Sequence, residues 1–339
     1  MDPVDFRLVN DHQRGFPLEP RPYARIAAEC GLTEQDVIGR LGALAERGVV
    51  GRIGAVFRPN TVGASTLAAI TAPPQRLERI AERVSDSPRV NHNYERAHRL
   101  NLWFVVTAPD AATLDDELRD IEHRTGCDVL RLPIDCAYHV DLGFDLAHGA
   151  RVDARVRRPQ LPGAPRQPLS PAQRRLVGAL EAGLGRVSRP YLALARAAAY
   201  PAHGAPSERE VIGQLEQWVA DGTISRFGVI VRHRPLGFDA NAMAVWDVPD
   251  HEVDRLGCAL AASGRVTLCY RRRRALPQWR YNLYCMLHAK RRDEVRETLD
   301  ALNRQLGLDR HPHAVLFRVR EFKQTGASYA WRPRSRKAA

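Results

Sequence analysis

At 339 residues the chain is too long for one small domain, and hydrophobic and charged fractions of 44% and 27% are those of a soluble globular protein of two to four domains. No apolar run approaches the roughly 20 residues of a membrane span, and the start Met1-Asp2-Pro3-Val4-Asp5 lacks an apolar signal region, which places the protein in the cytoplasm. The net charge of +12 invites a nucleic-acid partner, but ten of those charges fall in two segments, +6 between Gly149 and Arg175 and +4 between Arg332 and Lys337, so the folded parts are close to balance.

In chain order, residues 1–60 read as a helix-turn-helix domain. A helix over 23–31 leads through a Gly-containing turn to Thr33-x-x-Asp36, a capping box, and Val37, Leu41 and Leu44 then recur at helical spacing. A short strand follows in "VVGRIGAVF" (49–57). Residues 61–150 alternate strand and helix: "STLAAITA" (65–72), a helix over 75–84, strands at 89–95 and 100–107, a helix over 111–124 and a last strand near 129–134. This βαββαβ order is the ferredoxin-like pattern, an antiparallel sheet with both helices on one face and the other face left for a partner or ligand. Residues 151–170 are a Pro/Arg-rich linker.

Beyond the linker the pattern returns. "LTEQDVIGRLGALAERGVVGRIGAVFRPNTVG" (32–63) runs in register with "PSEREVIGQLEQWVADGTISRFGVIVRHRPLG" (206–237), "RVNHNYER" (89–96) with "RVTLCYRR" (265–272), and "LNLWFVVTA" (100–108) with "YNLYCMLHA" (281–289). The expected fold class is therefore α+β: two tandem copies of a helix-turn-helix domain followed by a ferredoxin-like domain, the second copy at 171–234 and 235–330, with a basic tail at 331–339. The six cysteines form no C-x-x-C pair and have no zinc-ligand spacing to histidines, so they read as small buried residues and no metal site is expected.

This layout resembles the Lrp/AsnC regulators. Within that superfamily, "HNYERAHRLNLWFVV", "AYHVDLGF" (137–144), "CYRRRR…W-x-YNLYCM" and "FKQTGASY" (322–329) resemble the siroheme decarboxylases of heme d1 and alternative heme synthesis, in a form that fuses two subunit types. The resemblance implies a carboxy-lyase that takes siroheme and removes carbon dioxide from its C12 and C18 acetates, giving 12,18-didecarboxysiroheme. The macrocycle can hold the released electrons, so no cofactor is implied beyond the iron-containing substrate. The two halves pair with each other, pairing between chains stays open, and partners extend to other enzymes of heme d1 synthesis. DNA fits poorly, because the first turns of the recognition helices carry Glu34 and Asp36, and Glu208 and Glu210, where a polyanion requires cations. A regulator and a non-catalytic tetrapyrrole sensor or carrier are the alternatives.

A site for such a substrate needs cations at its rim, aromatic or apolar faces against the ring, and a proton donor. His92, His98 and His139 are the acid candidates, although a strand histidine also serves as a hydrogen-bonded structural residue and His98 falls in a turn. Tyr94 shares a face with His92, Asn101 with Trp103, and Asp141 with His139 if that segment is extended. Trp103 and Tyr284 match between the copies, as do Asn101 and Asn282, which equally suits core packing and turn formation. Rim cations are offered by Arg271, Arg272, Arg273 and Arg274 with Lys323, by Arg52 and Arg58, and by Arg280, alongside Tyr270, Trp279 and Tyr281 on the longer second hairpin. Leu268 replaces His92 in the second copy, so the halves are unequal, and either one or both hold a working site.

Overall fold

The structure, a computed structural model, describes residues 1–140, 143, 168–199, 204–232 and 234–329. Helix α1 (Pro3–Asn10) is capped by Asp2, and α2 (Pro22–Cys30) ends at Gly31, whose φ of +68° turns the chain toward α3 (Glu34–Glu46). Thr33 and Asp36 exchange hydrogen bonds as a capping box at its start. Strand β1 (Val50–Phe57) leads into β2 (Ala64–Ile70), α4 (Leu77–Ser85), β3 (Val90–Arg96), β4 (Leu102–Ala108), α5 (Ala111–Thr125) and β5 (Leu130–Val140). The second half runs through α6 (Pro171–Leu180), α7 (Pro190–Ala197), α8 (Glu208–Ala220), β6 (Ile224–Val231), β7 (Ala240–Trp246), α9 (Val253–Ala262), β8 (Leu268–Arg272), β9 (Leu283–Ala289), α10 (Arg292–Leu306) and β10 (His313–Gln324).

Eight strands close into an antiparallel barrel in the order β10-β3-β4-β2-β5-β8-β9-β7. The last strand of each half makes the closure. β5 pairs with β2 and then runs on to pair with β8, while β10 pairs with β7 through His313–Phe317 and with β3 from Arg318 onward, each crossing eased by bulges. This is why β5 extends to Val140, six residues beyond the strand end that propensity alone suggests.

Each sheet buries one face under its helices. Ala68, Ile70, Leu102, Phe104 and Val106 meet α4 and α5, and Ala242, Ala244, Trp246 and Leu283 meet α9 and α10. The helix-free faces turn toward one another inside the barrel. One end is closed by Trp279, 2% exposed, whose ring packs at 5.0 Å from Trp103 and 4.8 Å from Tyr281, and whose Nε1 donates to the Tyr284 hydroxyl at 2.6 Å. The extra residues of the second hairpin supply this plug.

At the other end, β1 and β6 form a two-stranded ribbon in which Gly54 faces Gly228, and helices α1 to α3 share one apolar core with α6 to α8. Gly228 is packed against backbone: a Cβ there would stand 2.3 Å from the Gln13 carbonyl oxygen. No helix among the described residues is long and apolar enough to cross a membrane.

Candidate functional site

Between the unplugged end of the barrel and the β1–β6 ribbon lies a cavity of about 380 Å³, within the range of ligand sites. An eight-stranded barrel is just wide enough to hold such a space. Its floor is Trp103 and Tyr284, its walls are Tyr94, Val105, Tyr270 and Met286, and its roof is Arg52, Phe57, Ile230 and Arg232. The segment 324–329 closes one side, held by the Glu181 carboxylate, which accepts from the Tyr329 N–H at 2.5 Å and from the Ser328 hydroxyl at 3.0 Å. Four arginines and one carboxylate line this space.

Two of the arginines are related by the internal repeat. Arg96 ends β3 and Arg272 ends β8, and strand alternation places each on the inward face, two residues after Tyr94 and Tyr270. Arg96 reaches across to the other half and donates to the Leu316 carbonyl at 2.8 Å; Arg272 reaches back and donates to the Leu132 carbonyl at 2.8 Å. They lie 5.6 and 5.1 Å from the rings of Tyr94 and Tyr270. Both are buried, 5% and 8% exposed, and no carboxylate among the described residues acts on either. Burial lowers both guanidiniums, Arg96 to about 10. Buried charge without a counter-charge is costly, which makes each guanidinium an anion site facing the one cavity.

His92 lies on the same face of β3 as Tyr94 and Arg96, with its ring 5.9 Å from that of Tyr94. The Asn91 Oδ1 stands 2.9 Å from its Nδ1, which therefore donates and leaves Nε2 as the basic nitrogen. It lines the cavity half-buried, and burial lowers its pKa to about 4. A pKa this low keeps the imidazole neutral at physiological pH. Enclosure also raises Tyr94, Tyr270, pushed up to about 12, and Tyr284.

Of the residues singled out from sequence, the structure brings His92, Tyr94, Trp103, Arg52, Tyr270, Arg272 and Tyr284 to the cavity. His98 is not among them: it sits at the plugged end, 5.4 Å from the Trp279 ring, where its Nδ1 accepts from the Leu100 N–H. His139 does not line the cavity either, because the bulge where β5 crosses to β8 sets it opposite Cys269, away from the barrel interior. Asp141 lies outside the described residues. Asn101 and Asn282 each clasp a backbone, at Ala72 and Val248, through both amide atoms.

The end of β8 at Arg272 also divides the arginine run. Arg271 pairs with Asp254, Arg273 with Asp135, and Arg274 and Arg280 with Asp247, all outside the barrel. Lys323 donates to the Ser85 and Ser87 carbonyls at the end of α4. Arg58 lies against Gly222, and Trp279 and Tyr281 belong to the plug.

Residues 62–139 and 235–323 match the AsnC-like ligand binding domain, and residues 5–50 match the siroheme decarboxylase NirDL-like HTH domain. The chain is 44% identical over 330 residues to the siroheme decarboxylase NirDL subunit of Paracoccus denitrificans, covering 97% of this chain and 98% of that one. The chain belongs to the siroheme decarboxylase family. The siroheme decarboxylase NirD subunit of Pseudomonas aeruginosa is 47% identical over 146 residues, 43% of this chain and 97% of that protein. Among solved structures, a siroheme decarboxylase NirDL in co-complex with an iron-uroporphyrin III analogue aligns with a TM-score of 0.67 and 26% identity, over 96% of this chain and 93% of that one.

Within this family framework several cavity residues escaped the sequence reading, Arg96, Asn91, Asn241, His288 and Tyr329 among them. Arg96 was within reach: it is two residues beyond Tyr94 on one strand face and matches Arg272 in the repeat. His288 replaces Thr107 and Asn241 replaces Ser65, so comparison of the copies marks them as differences without showing that they meet.

Proposed function

We propose that the protein is a siroheme decarboxylase whose site is the barrel cavity, where Arg96 and Arg272 hold substrate carboxylates and His92 manages the proton. The observation that carries this reading is the pair of buried, carboxylate-free guanidiniums aimed from opposite walls into one cavity. Guanidinium pairs bidentately with carboxylate, so a polycarboxylate ring supplies the missing counter-charge on both sides at once. Trp103, Tyr284, Val105 and Met286 offer the flat and apolar surfaces a macrocycle requires.

In the reaction the bond between an acetate methylene and its carboxyl carbon breaks and carbon dioxide leaves. The electron pair spreads into the macrocycle, and a proton added to the methylene carbon completes the methyl group. His92 is the donor of that proton. Substrate carboxylates near it stabilise the imidazolium and raise its pKa from the empty-state value of about 4 into a working range. The reading takes the C12 and C18 acetates as the reacting groups and needs no cofactor beyond the substrate's own iron.

The same reading divides the chain at 1–60, 61–150, 151–170, 171–234, 235–330 and 331–339, as a tandem of helix-turn-helix and ferredoxin-like units acting in the cytoplasm. The β-α-β-β-α-β connectivity of each half supports it. DNA binding is not favoured: the first turns of α3 and α8 spend their carboxylates internally, Glu34 on Arg21, Glu208 on Arg189, and Asp36 and Glu210 in capping boxes. Incubating the purified protein with siroheme without oxygen and following product mass tests the proposal. Loss of two carbon dioxide units is expected, and tight binding with no mass change would replace the enzyme by a carrier.

A further inference from the structure

We propose that His288 is a positioning residue that fixes the carboxylate-binding Arg96 through Asn241, so that the two arginines of the cavity are unequal; this rests on the reading of the cavity as the siroheme site. Asn241 on β7 and His288 on β9 are direct cross-strand neighbours facing the cavity. The Arg96 guanidinium can only donate, and its Nη1 lies 3.4 Å from the Asn241 Oδ1, which fixes which way the amide points. The amide Nδ2 then faces the His288 Nε2 at 2.7 Å and donates to it. With Nε2 accepting, the ring proton sits on Nδ1, which donates to the Thr267 hydroxyl oxygen at 3.1 Å, and that hydroxyl donates to the Met286 carbonyl at 3.3 Å. Each link has one donor and one acceptor, from the guanidinium of the first half to the backbone of the second.

Among the described residues the first half has no such chain. Ser65, Thr107 and Asn91 occupy the repeat positions of Asn241, His288 and Thr267. Ser65 donates to the Asn60 Oδ1 and Thr107 to the Ser328 carbonyl, and among the described residues no hydrogen bond leads from them to Arg272. Among the described residues the Arg272 guanidinium has one hydrogen-bond acceptor, the Leu132 carbonyl, beside its contacts with the Tyr270 and Tyr284 rings, and its buried Nε is unbonded. Arg96 is therefore presented to a carboxylate in a set orientation, while Arg272 keeps capacity to adjust. His288 gives the pseudo-symmetric barrel one fixed anchor and one adaptable anchor, which is what a ring with unlike edges requires to be seated in a single orientation.

The test follows siroheme binding by anaerobic absorbance titration and turnover by product mass in the full chain. His288→Leu is expected to raise Kd and KM about tenfold, the usual scale for a lost bond serving a charged group, with kcat changed less than twofold. His288→Gln offers an acceptor and a donor in one side chain and should stay within about twofold of wild type. In an Arg96→Gln background, His288→Leu should add nothing. Wild-type KM in His288→Leu, a full additional loss in the Arg96→Gln background, or equal defects in the Leu and Gln variants would each overturn the inference. Should the Leu variant not fold, Asn241→Ala breaks the same chain one link nearer Arg96 and carries the same expectation and refutation. A wild-type protein that binds no siroheme removes the site reading and this inference together, whereas intact wild-type binding beside unaffected variants removes this inference alone.

Discussion

Replacing Arg96 by Met separates the energetics of the empty barrel from those of the loaded one. Burial holds this guanidinium at about 10, well below its ordinary value, and at ~1.36 kcal/mol per unit of pKa that displacement corresponds to about 3 kcal/mol against the charged form. The folded and unfolded values both lie above physiological pH, so the group is charged in both states and the whole cost is present at neutrality. Opposing it are the bond to the Leu316 carbonyl at 2.8 Å, of roughly 1.5–3 kcal/mol for a charged donor, and a weaker one to Asn241 at 3.4 Å. The terms nearly cancel. Arg96→Met should shift the stability of the ligand-free protein by less than about 1.5 kcal/mol in either direction, where truncating a purely structural core residue of this size costs roughly 2–5 kcal/mol. Siroheme at about 100 times Kd should add about 2.7 kcal/mol to the wild type and almost nothing to the variant. Urea denaturation with and without siroheme, under anaerobic conditions, measures both quantities. A loss above about 3 kcal/mol in the empty protein, with the siroheme increment intact, would show that Arg96 holds the barrel together and is no ligand anchor.

The adjacent arginines provide a contrast within one run: Arg272→Met should abolish siroheme binding, while Arg273→Ala, an exposed partner of Asp135, should change stability by under about 0.5 kcal/mol and leave KM within twofold. His92→Gln should retain siroheme binding in the titration but lower kcat at least about a hundredfold, and equal turnover would exclude His92 as the proton donor. The same variant should lose an acid sensitivity. Because the folded pKa of His92 is depressed to about 4, its contribution is complete above the ordinary value of about 6.5 and disappears as pH falls toward 4, up to about 3 kcal/mol, so wild-type stability should fall across that window more steeply than that of His92→Gln. Gly228→Ala should destabilise by about 3 kcal/mol or more in thermal unfolding, because the new methyl meets the Gln13 carbonyl carbon and oxygen, which are backbone and cannot rotate aside.

Much of the framework was legible because it is written in periodicity. The capping boxes at Thr33 and Ser207 mark the starts of α3 and α8 at the residues where the structure places them, and the repeat identifies Tyr94 with Tyr270 and Trp103 with Tyr284 before any coordinates exist. The closing of the barrel was not legible. It depends on β5 and β10 outrunning their own sheets, and the pairing of Val140 with Leu268 or of Lys323 with Asn93 is a long-range register that local pattern does not encode. The misplacement of His139 has the same origin: strict alternation predicts an inward face, but one bulge between Ala137 and His139 changes the face. His98 and Trp279 stand on hairpin ends, where the chain determines only that a turn exists and the opposite half determines what the turn covers.

The arginines show the more general limit. In sequence, Arg271 through Arg274 are four equivalent charges, and an exposed rim cluster is the economical reading. In the structure β8 turns Arg272 inward and ends there, and among the described residues the other three have Asp partners while Arg272 has none. Function resides in the charge that folding leaves unpaired, and that is a property of three-dimensional bookkeeping rather than of composition. The two copies supply both the buried cations by symmetry and, through His92, Asn241 and His288, the departures from symmetry that let one cavity tell two edges of a ring apart. A barrel built from two identical halves would present the same face to every edge of its ligand, so divergence of the second copy is itself part of what the site does.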